Sequence, residues 1–260
     1  MRSTIQPGIL PVCAIKILPL AIGCLHRILR KFIRQSYIIF SYLQRIIMSS
    51  LVKNDRMLKV TNLACARGEQ ELFANVCFEL HAGEMLQVLG ENGSGKTTLL
   101  RTLCGFSQPL AGEIFWQGKV IRDASEEYHA DIIYLGHLNA IKDELSALEN
   151  LRISCTLADC EISDSDALEA LRNMGLRGRE TFPVKLLSQG QRRRVALARL
   201  LLSKAPLWIL DEPLAALDVE AAVLIQDLIA RHLKDRGMVI YTTHQTLEVS
   251  GTEIRRLSLS

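Results

Sequence analysis

The sequence predicts an α/β fold with a mixed sheet core and a small inserted helical lobe. From Met57 onwards, short apolar or β-branched runs alternate with longer segments of helical periodicity, which is typical of α/β chains. A glycine-rich turn at residues 90–97 also joins an apolar run directly to a helical segment. Such a strand–turn–helix junction is typical of domains that bind phosphate groups, so the same stretch indicates both a fold class and a site.

Strands and helices can be assigned in order along this part of the chain. Eight runs have strand composition, at residues 57–63, 75–80, 85–90, 113–118, 131–136, 207–211, 238–243 and 254–260. Five segments have helical spacing of apolar residues, at 96–104, 146–158, 164–174, 191–203 and 219–234. Because the polar stretch around residues 158–165 interrupts the strand rhythm, we expect one domain over residues 57–260 with a helical lobe at about residues 145–202.

Composition excludes disorder and gives no sign of nucleic-acid binding by this domain. The chain has 260 residues, 48% of them hydrophobic, with a mean hydropathy of +0.16. Its net charge of +3 is uneven: residues 1–56 carry nine basic residues and one acid, which leaves 22 basic and 27 acidic residues elsewhere. The seven cysteines form no CxxC pair, so we expect reduced thiols, with a zinc site or a disulfide framework as the less favoured alternative.

Residues 1–56 form a basic, apolar extension that offers no motif. Lys16 and three prolines interrupt its longest apolar run, which argues against a stable membrane span. The arginine-rich segment that follows fits either a membrane-surface segment or an acid-poor targeting peptide. The favoured alternative is that the extension is absent from the mature protein, which then begins at Met48 or Met57.

The stretch "GENGSGKTTLL" satisfies the pattern GxxxxGK[ST] between a strand and a helix. Its glycines permit a tight turn that directs backbone N–H groups at phosphate oxygens, and the helix N-terminus adds its positive dipole end. Lys96 is expected to reach the β- and γ-phosphates, and the Thr97 hydroxyl to bind Mg²⁺. The predicted nucleotide-binding residues here are Gly90, Glu91, Asn92, Gly93, Ser94, Gly95, Lys96, Thr97 and Thr98.

The apolar run "PLWILDEP" ends in two carboxylates. Acids at the end of a buried strand are costly unless a cation or a reaction requires them. Asp211 is therefore the second candidate metal-binding residue, and Glu212 is the candidate base that orients an attacking water.

Together with "LSQGQ", "AALD" and "TTH", these motifs occur in the order in which one known family carries them. On that basis residues 57–260 resemble the ATP-binding cassette (ABC) family, and the resemblance implies a P-loop ABC ATPase fold with ATP and Mg²⁺ as ligands. It also implies a homodimer paired head to tail, with Asp218 at the dimer contact and His244 at the γ-phosphate. The residues implied to contact the partner's ATP are Ser188, Gln189, Gly190 and Gln191.

Three positions depart from the usual family pattern. Gln189 replaces a glycine, and Arg67 stands where an aromatic side chain often stacks on adenine. His137 replaces a glutamine; we hypothesise that its neutral form accepts a hydrogen bond from water near Mg²⁺ and that protonation slows hydrolysis. The predicted catalytic residues are thus Lys96, His137, Glu212 and His244. The run Arg192 to Arg194 is interpreted as a solvated helix face, with nucleic-acid contact as the alternative.

The segments "YLGHLNAIKDELSALENL" and "EIRRLSLS" further resemble ATPase subunits of haem-exporter-type transporters used in cytochrome c maturation. This implies a peripheral subunit at the cytoplasmic face of the bacterial inner membrane, bound to integral membrane subunits. Hydrolysis powers haem export or the release of a haem-loaded chaperone, and no direct haem ligand or nucleic-acid partner is expected. The alternatives are the ATPase of another ABC exporter and a non-transport ABC ATPase without a membrane partner.

Overall fold

A computed structural model describes residues 56–245, 247, 249 and 251–259. These residues all belong to one compact unit, Asn54–Ser260. The expected extension at residues 1–56 lies outside the described part of the chain, apart from Arg56.

One sheet is antiparallel and supports the glycine-rich turn from the side. Its strands follow the order β2-β1-β4-β5, and each adjacent pair is antiparallel. Alternate residues are buried along β4 and at the start of β1, as expected for strands with one face on a core. The strands are β1 (Met57–Arg67), β2 (Gln70–His81), β4 (Ala111–Trp116) and β5 (Lys119–Val120).

The other sheet is parallel throughout and positions the site. Its order is β6-β7-β8-β3-β9, so β8 lies between β7 and β3. Every residue of β7 and β8 is buried, which explains why both read as unbroken apolar runs. The carboxyl ends of β3, β7 and β8 meet at one edge. The strands are β3 (Met85–Leu89), β6 (Ile132–Leu135), β7 (Leu207–Asp211), β8 (Met238–Thr242) and β9 (Ile254–Ser258).

Seven α-helices occur among the described residues. Three of them are preceded by an N-cap serine whose hydroxyl accepts a hydrogen bond from the backbone N–H three residues later, in a complete capping box. No helix in the described ranges is long and apolar enough to cross a membrane. The helices are α1 (Lys96–Leu103), α2 (Ser125–Ala130), α3 (Ala147–Thr156), α4 (Asp164–Asn173), α5 (Gln189–Leu197), α6 (Arg199–Leu202) and α7 (Val219–Lys234).

Two hydrophobic cores lie on opposite faces of the parallel sheet. Along β7, Leu207 and Ile209 belong to the core that encloses α1 between the two sheets. Trp208 and Leu210 belong to the other core, which contains buried apolar residues of α3, α4, α5 and α7. The strand alternates between the cores because successive side chains point to opposite faces. Its end is therefore fixed from both sides.

The predicted fold class is confirmed, with three local differences. β1 runs on to Arg67 and β2 begins at Gln70, because these polar residues pair across a tight hairpin. The elements β5 and α2 are too short for their periodicity to be recognised. The helix expected at 191–203 begins at Gln189 and is divided at Ala198. Helices α3 to α6 all follow β6 and precede β7 along the chain. Because their apolar residues share a core with residues of β7, a separate helical lobe stays a prediction.

His232 on α7 is half-buried beside the core that contains Trp208. Its ring stacks on that of Trp208 with centroids 3.8 Å apart. Gly237 packs against the ring so closely that a Cβ there would collide with it. Burial lowers the pKa of His232 to about 4. The folded chain therefore keeps this histidine neutral at pH values where the unfolded chain, with a pKa near 6.5, is protonated.

We predict that this group makes the protein less stable as the pH falls from 6.5 to 4, because the unfolded chain binds the additional proton. The loss should reach about 3 kcal/mol in the free energy of unfolding, measured by urea titration at a series of pH values. His232→Gln should lack this component of the pH dependence, whereas His81→Gln, at an exposed position, should keep it. If the free energy of unfolding changed with pH in the same way in all three proteins, the prediction would be contradicted.

Candidate functional site

The glycine-rich turn between β3 and α1 has the backbone conformation that its sequence demands. Gly93 and Gly95 have φ values of 89° and 96°, in the left-handed region that favours glycine. A Cβ on Gly95 would also lie 3.0 Å from the ring of Phe73. Because Gly95 is the N-cap of α1, the free N–H groups of the first helical turn face the mouth of this loop.

Lys96 is the first residue of α1, and its ammonium group lies over the turn. Nζ donates hydrogen bonds to the carbonyl oxygens of Gly90, at 2.7 Å, and Glu91, at 2.9 Å. A phosphate oxygen is a stronger acceptor for an ammonium than a neutral carbonyl. The side chain is thus held at the loop by partners that an incoming phosphate can replace.

Asp211, the last residue of β7, connects three elements of the site. Only 3% of it is exposed. Its Oδ2 accepts a hydrogen bond from Thr97 Oγ1 at 2.8 Å, and its Oδ1 accepts one from Thr242 Oγ1 at 2.7 Å. These two bonds compensate for the burial of the carboxylate and join β7 to α1 and to β8.

Glu212 follows in a backbone conformation that is rare for a side chain of its size, with φ at 52°. Its N–H group lies 3.2 Å from the carbonyl oxygen and 3.1 Å from Oγ1 of Thr242. The carboxylate accepts a hydrogen bond from the His244 N–H at 3.3 Å and lies 3.5 Å from its Nε2. The side chain is 17% exposed, so it is partly desolvated yet reachable by water.

A cavity of about 500 Å³ collects most of the predicted site residues. It does not include Gly90, Glu91 or Ser94, which lie in the same loop beside it. Thr242, which fixes Asp211, and Gln245, which lines the cavity, were not predicted. The predicted residues that line the cavity are Arg67, Asn92, Gly93, Gly95, Lys96, Thr97, Thr98, His137, Asp211, Glu212 and His244.

Residues 188–191 are not among those that line this cavity. Ser188 caps α5: its hydroxyl accepts a hydrogen bond from the Gln191 N–H, and Gln191 Oε1 accepts one from the Ser188 N–H. A Cβ on Gly190 would lie 2.8 Å from the carbonyl oxygen of Ala216, so glycine is needed there for close packing on the "AALD" segment. Gln189 is exposed.

Asp218 caps α7 and contacts Arg194. Its Oδ1 accepts a hydrogen bond from the Ala221 N–H at 2.9 Å, and Oδ2 accepts one from the Arg194 guanidinium. The Ala221 N–H, and secondarily Arg194, hold the pKa of this carboxyl below its usual range. Asp218 therefore stays charged, and its assignment to a dimer contact stays a prediction.

The interpretation of Arg192 to Arg194 as a solvated face is wrong for Arg193. Arg193 is only 3% exposed and its guanidinium binds protein acceptors. The neighbouring side chains are also engaged, since Arg192 binds Asp143 and the Leu187 and Lys185 carbonyls, and Arg194 binds Asp218. Successive helix positions point about 100° apart, so three adjacent arginines meet three different environments. The run offers no continuous basic surface for nucleic acid.

The donor set at the end of β7 fits a hard divalent cation. Thr97 and Asp211 bring a hydroxyl and a carboxylate together beside Lys96, and oxygen ligands next to bound phosphates are what Mg²⁺ prefers. The arrangement can hold a nucleoside triphosphate by its phosphates and place a carboxylate near the attacking water.

Comparison with known proteins matches this site and the whole domain. The family described as ABC transporter matches residues 73–215, which include the glycine-rich turn, Asp211 and Glu212. The Cytochrome c biogenesis ATP-binding export protein CcmA of Nitrosomonas europaea is 55% identical over 204 residues, covering 78% of this chain and 96% of that protein. The protein of the same name from Vibrio cholerae is 48% identical over 203 residues, covering 78% and 98%.

Solved structures agree with the fold. An ABC transporter ATP-binding protein of Pyrococcus furiosus superposes with a TM-score of 0.67 at 26% identity, over 78% of this chain and 97% of that one. A dimeric bacterial ABC transporter cassette superposes with a TM-score of 0.67 at 26% identity, over 77% and 94%.

We predict that the Thr97 hydroxyl is required for metal-dependent hydrolysis of a nucleoside triphosphate. Thr97→Ala should lower kcat roughly 100-fold, whereas Thr97→Ser, which keeps the hydroxyl, should stay within about 3-fold of the original chain. Hydrolysis should be measured over a titration of Mg²⁺. Equal rates for the two variants would show that the hydroxyl has no such role.

Proposed function

The chain belongs to the ABC transporter family, and on that premise we propose that it is the ATP-hydrolysing subunit of a haem-exporter-type complex in cytochrome c biogenesis. The observation that carries the ATPase assignment is the juxtaposition of Lys96, the Thr97–Asp211 pair and Glu212 around one cavity. The 55% identity to a cytochrome c biogenesis export protein, over almost all of that protein, supports the biological task.

ATP binds in this proposal with its phosphates over the N-terminus of α1. The backbone N–H groups of the turn and the Lys96 ammonium bind the β- and γ-phosphates, in place of the carbonyl contacts that Lys96 now makes. Arg67 lines the same cavity and is the candidate for contact with the adenine, because a planar guanidinium can stack on a base.

Thr97 and Asp211 would hold Mg²⁺ through their oxygens. When bound, the ion draws charge from the phosphate oxygens as the terminal phosphoryl group is transferred. Asp211 is kept in place by Thr242 from the neighbouring strand, so the metal-binding carboxylate does not depend on a flexible loop.

Glu212 orients the attacking water and accepts its proton. His244 lies beside Glu212 and is the candidate for contact with the γ-phosphate, while His137 lines the cavity from the loop after β6. Hydrolysis breaks the bond between the β,γ-bridging oxygen and the γ-phosphorus. The new bond joins that phosphorus to the water oxygen, and ADP and phosphate are the products.

A second subunit completes the site in this proposal. The cap formed by Ser188 and Gln191 lies outside the chain's own cavity lining, and a dimeric ABC cassette has the same fold. Pairing two copies head to tail would bring Ser188, Gln189, Gly190 and Gln191 of one subunit to the γ-phosphate on the other.

The complex in which this dimer works contains integral membrane subunits. The chain would then be a peripheral subunit at the cytoplasmic face of the bacterial inner membrane. Its work is to power the export of haem or the release of a haem-loaded chaperone, with haem bound by the partners. Residues 139–145, which link β6 to the capped start of α3, are the proposed contact with the membrane subunits.

The assignment can be tested by trapping the complex before hydrolysis. Glu212→Gln should lower ATP hydrolysis roughly 100-fold because the base is lost while the shape is kept. Purified from its native membrane, this variant should retain its membrane partners and carry more haem, measured by absorbance, than the original chain. Glu169→Gln, at an exposed position on α4, is the control and should behave as the original chain does.

Two outcomes of this experiment would contradict the proposal in different ways. A haem-free complex with membrane proteins would keep the ATPase and assign it another cargo. A variant that purifies with no membrane protein at all would favour a non-transport ATPase.

The dimer can be tested separately, because Ser163 forms the same kind of cap on α4 as Ser188 does on α5. Ser188→Ala and Ser163→Ala each remove a capping-box hydroxyl and should each lower the free energy of unfolding by about 1 kcal/mol. Only Ser188→Ala should also lower ATP hydrolysis, by roughly 10-fold or more, because only Ser188 would contact the partner's ATP. Equal activity in the two variants would argue against contact in trans.

A further inference from the structure

Arg193 is a buried cation next to the site to which the family motifs assign no role. It lies in the second turn of α5, the helix that Ser188 caps, and its side chain is withdrawn from solvent. Burial lowers the pKa of its guanidinium, and the nearby charges of Asp211 and Glu212 oppose that shift. A buried cation is destabilising unless its N–H groups donate hydrogen bonds to nearby acceptors.

Four hydrogen bonds satisfy both terminal nitrogens of Arg193. Nη1 donates to the carbonyl oxygen of Gly136 at 2.9 Å and to Asn139 Oδ1 at 3.1 Å. Nη2 donates to the carbonyl oxygens of Asp211 at 3.0 Å and Glu212 at 2.8 Å. All four acceptors are neutral groups, three of them backbone carbonyls, so the contacts fix the positions of these segments without a direct ion pair.

The four acceptors belong to two segments that both reach the cavity. Gly136 and Asn139 flank His137 in the loop after β6, and Asp211 and Glu212 end β7. One side chain of α5 therefore joins the helix of the "LSQGQ" motif to the His137 loop and to the candidate base. The planar guanidinium suits this geometry because its N–H groups diverge in fixed directions.

The contact with Glu212 matters most, because Glu212 has a left-handed backbone. Such a conformation persists in a non-glycine residue only when its surroundings hold it. The N–H group of Glu212 is held by Thr242, and its carbonyl oxygen by Arg193 and the Ala215 N–H. If the peptide after Glu212 could rotate, the direction of its carboxylate would change with it.

We propose that Arg193 is a positioning residue through which the direction of the Glu212 carboxylate depends on the docking of α5. The proposal rests on the role of Glu212 in the proposed function. When α5 is seated, Arg193 holds both the Glu212 peptide and the His137 loop. When α5 moves away with the helices around it, these contacts break and the base loses its alignment. Hydrolysis is then restricted to the arrangement in which the "LSQGQ" helix is in place.

The test compares Arg193→Lys and Arg193→Gln with Arg192→Lys in the full chain purified from its native membrane. Lysine keeps the charge but cannot serve four diverging acceptors, and glutamine loses the charge. Both Arg193 variants should lower kcat roughly 10-fold or more while the KM for ATP and the affinity for ADP change less than about 2-fold. Arg192→Lys should leave all three unchanged, because Arg192 contacts Asp143 and backbone carbonyls away from the base.

If Arg193 only stabilised the fold, these variants would give a different result. Melting temperature and kcat would then fall together and the KM for ATP would rise, and this outcome would overturn the proposal, as would a kcat for Arg193→Gln equal to that of the original chain. In a Glu212→Gln background, Arg193→Gln should cause no further loss of kcat, because both changes disable the same group. Additive losses would mean that Arg193 acts independently of Glu212.

Two further measurements distinguish this proposal from a folding defect and from a failure of the proposed function. If Arg193→Gln does not fold, Asn139→Ala removes one acceptor and should lower kcat about 3-fold at an unchanged melting temperature; an unchanged kcat would overturn the proposal. Full activity in Glu212→Gln alone would overturn both the assignment of the base and this inference. An inactive Glu212→Gln beside a fully active Arg193→Gln would overturn only the inference.

Discussion

Asp211 carries a negative charge into the buried edge of the parallel sheet, where hydroxyl groups from α1 and β8 bind its two oxygens. The rest of the site depends on this carboxylate. Thr97 binds it from the first turn of α1, directly after Lys96, so the phosphate-binding turn is fixed relative to the sheet. Thr242 also binds it and holds the N–H group of Glu212, so the candidate base is fixed by the same contacts. Loss of the charge would loosen the turn, the metal-binding groups and the base together.

A positive charge, the guanidinium of Arg193, also lies at the end of β7. The Arg193 guanidinium binds the carbonyl oxygens of Asp211 and Glu212, while the two carboxylates point towards the cavity. This cation partly offsets the electrostatic cost of placing two acids at the end of a buried strand. The electrostatics of the site therefore involve a helix that contributes no residue to the cavity lining, and the candidate chemistry is linked to the position of that helix.

The fold class and the phosphate-binding turn could be predicted because both depend on short-range patterns. Gly90 to Thr97 specify a turn within eight residues, and the strands show as apolar runs. The partners of Asp211 could not be predicted in the same way. Thr242 reaches it only because β7 and β8 pair in a register that aligns the two residues. The environment of Arg193 was missed because three adjacent arginines look alike in a sequence, and only the packing of α5 determines which one is buried.

The capped start of α5 has a consequence for how this segment can change over evolution. Ser188 and Gln191 hold each other through two hydrogen bonds, and Gly190 allows close approach to the Ala216 carbonyl. Substitutions at these three positions would disturb the helix start itself. Gln189 lies between them with an exposed side chain, and the cap uses only its backbone. The helix cap therefore constrains position 189 less than its neighbours, which gives a physical reason why this chain can carry glutamine where its family usually has glycine.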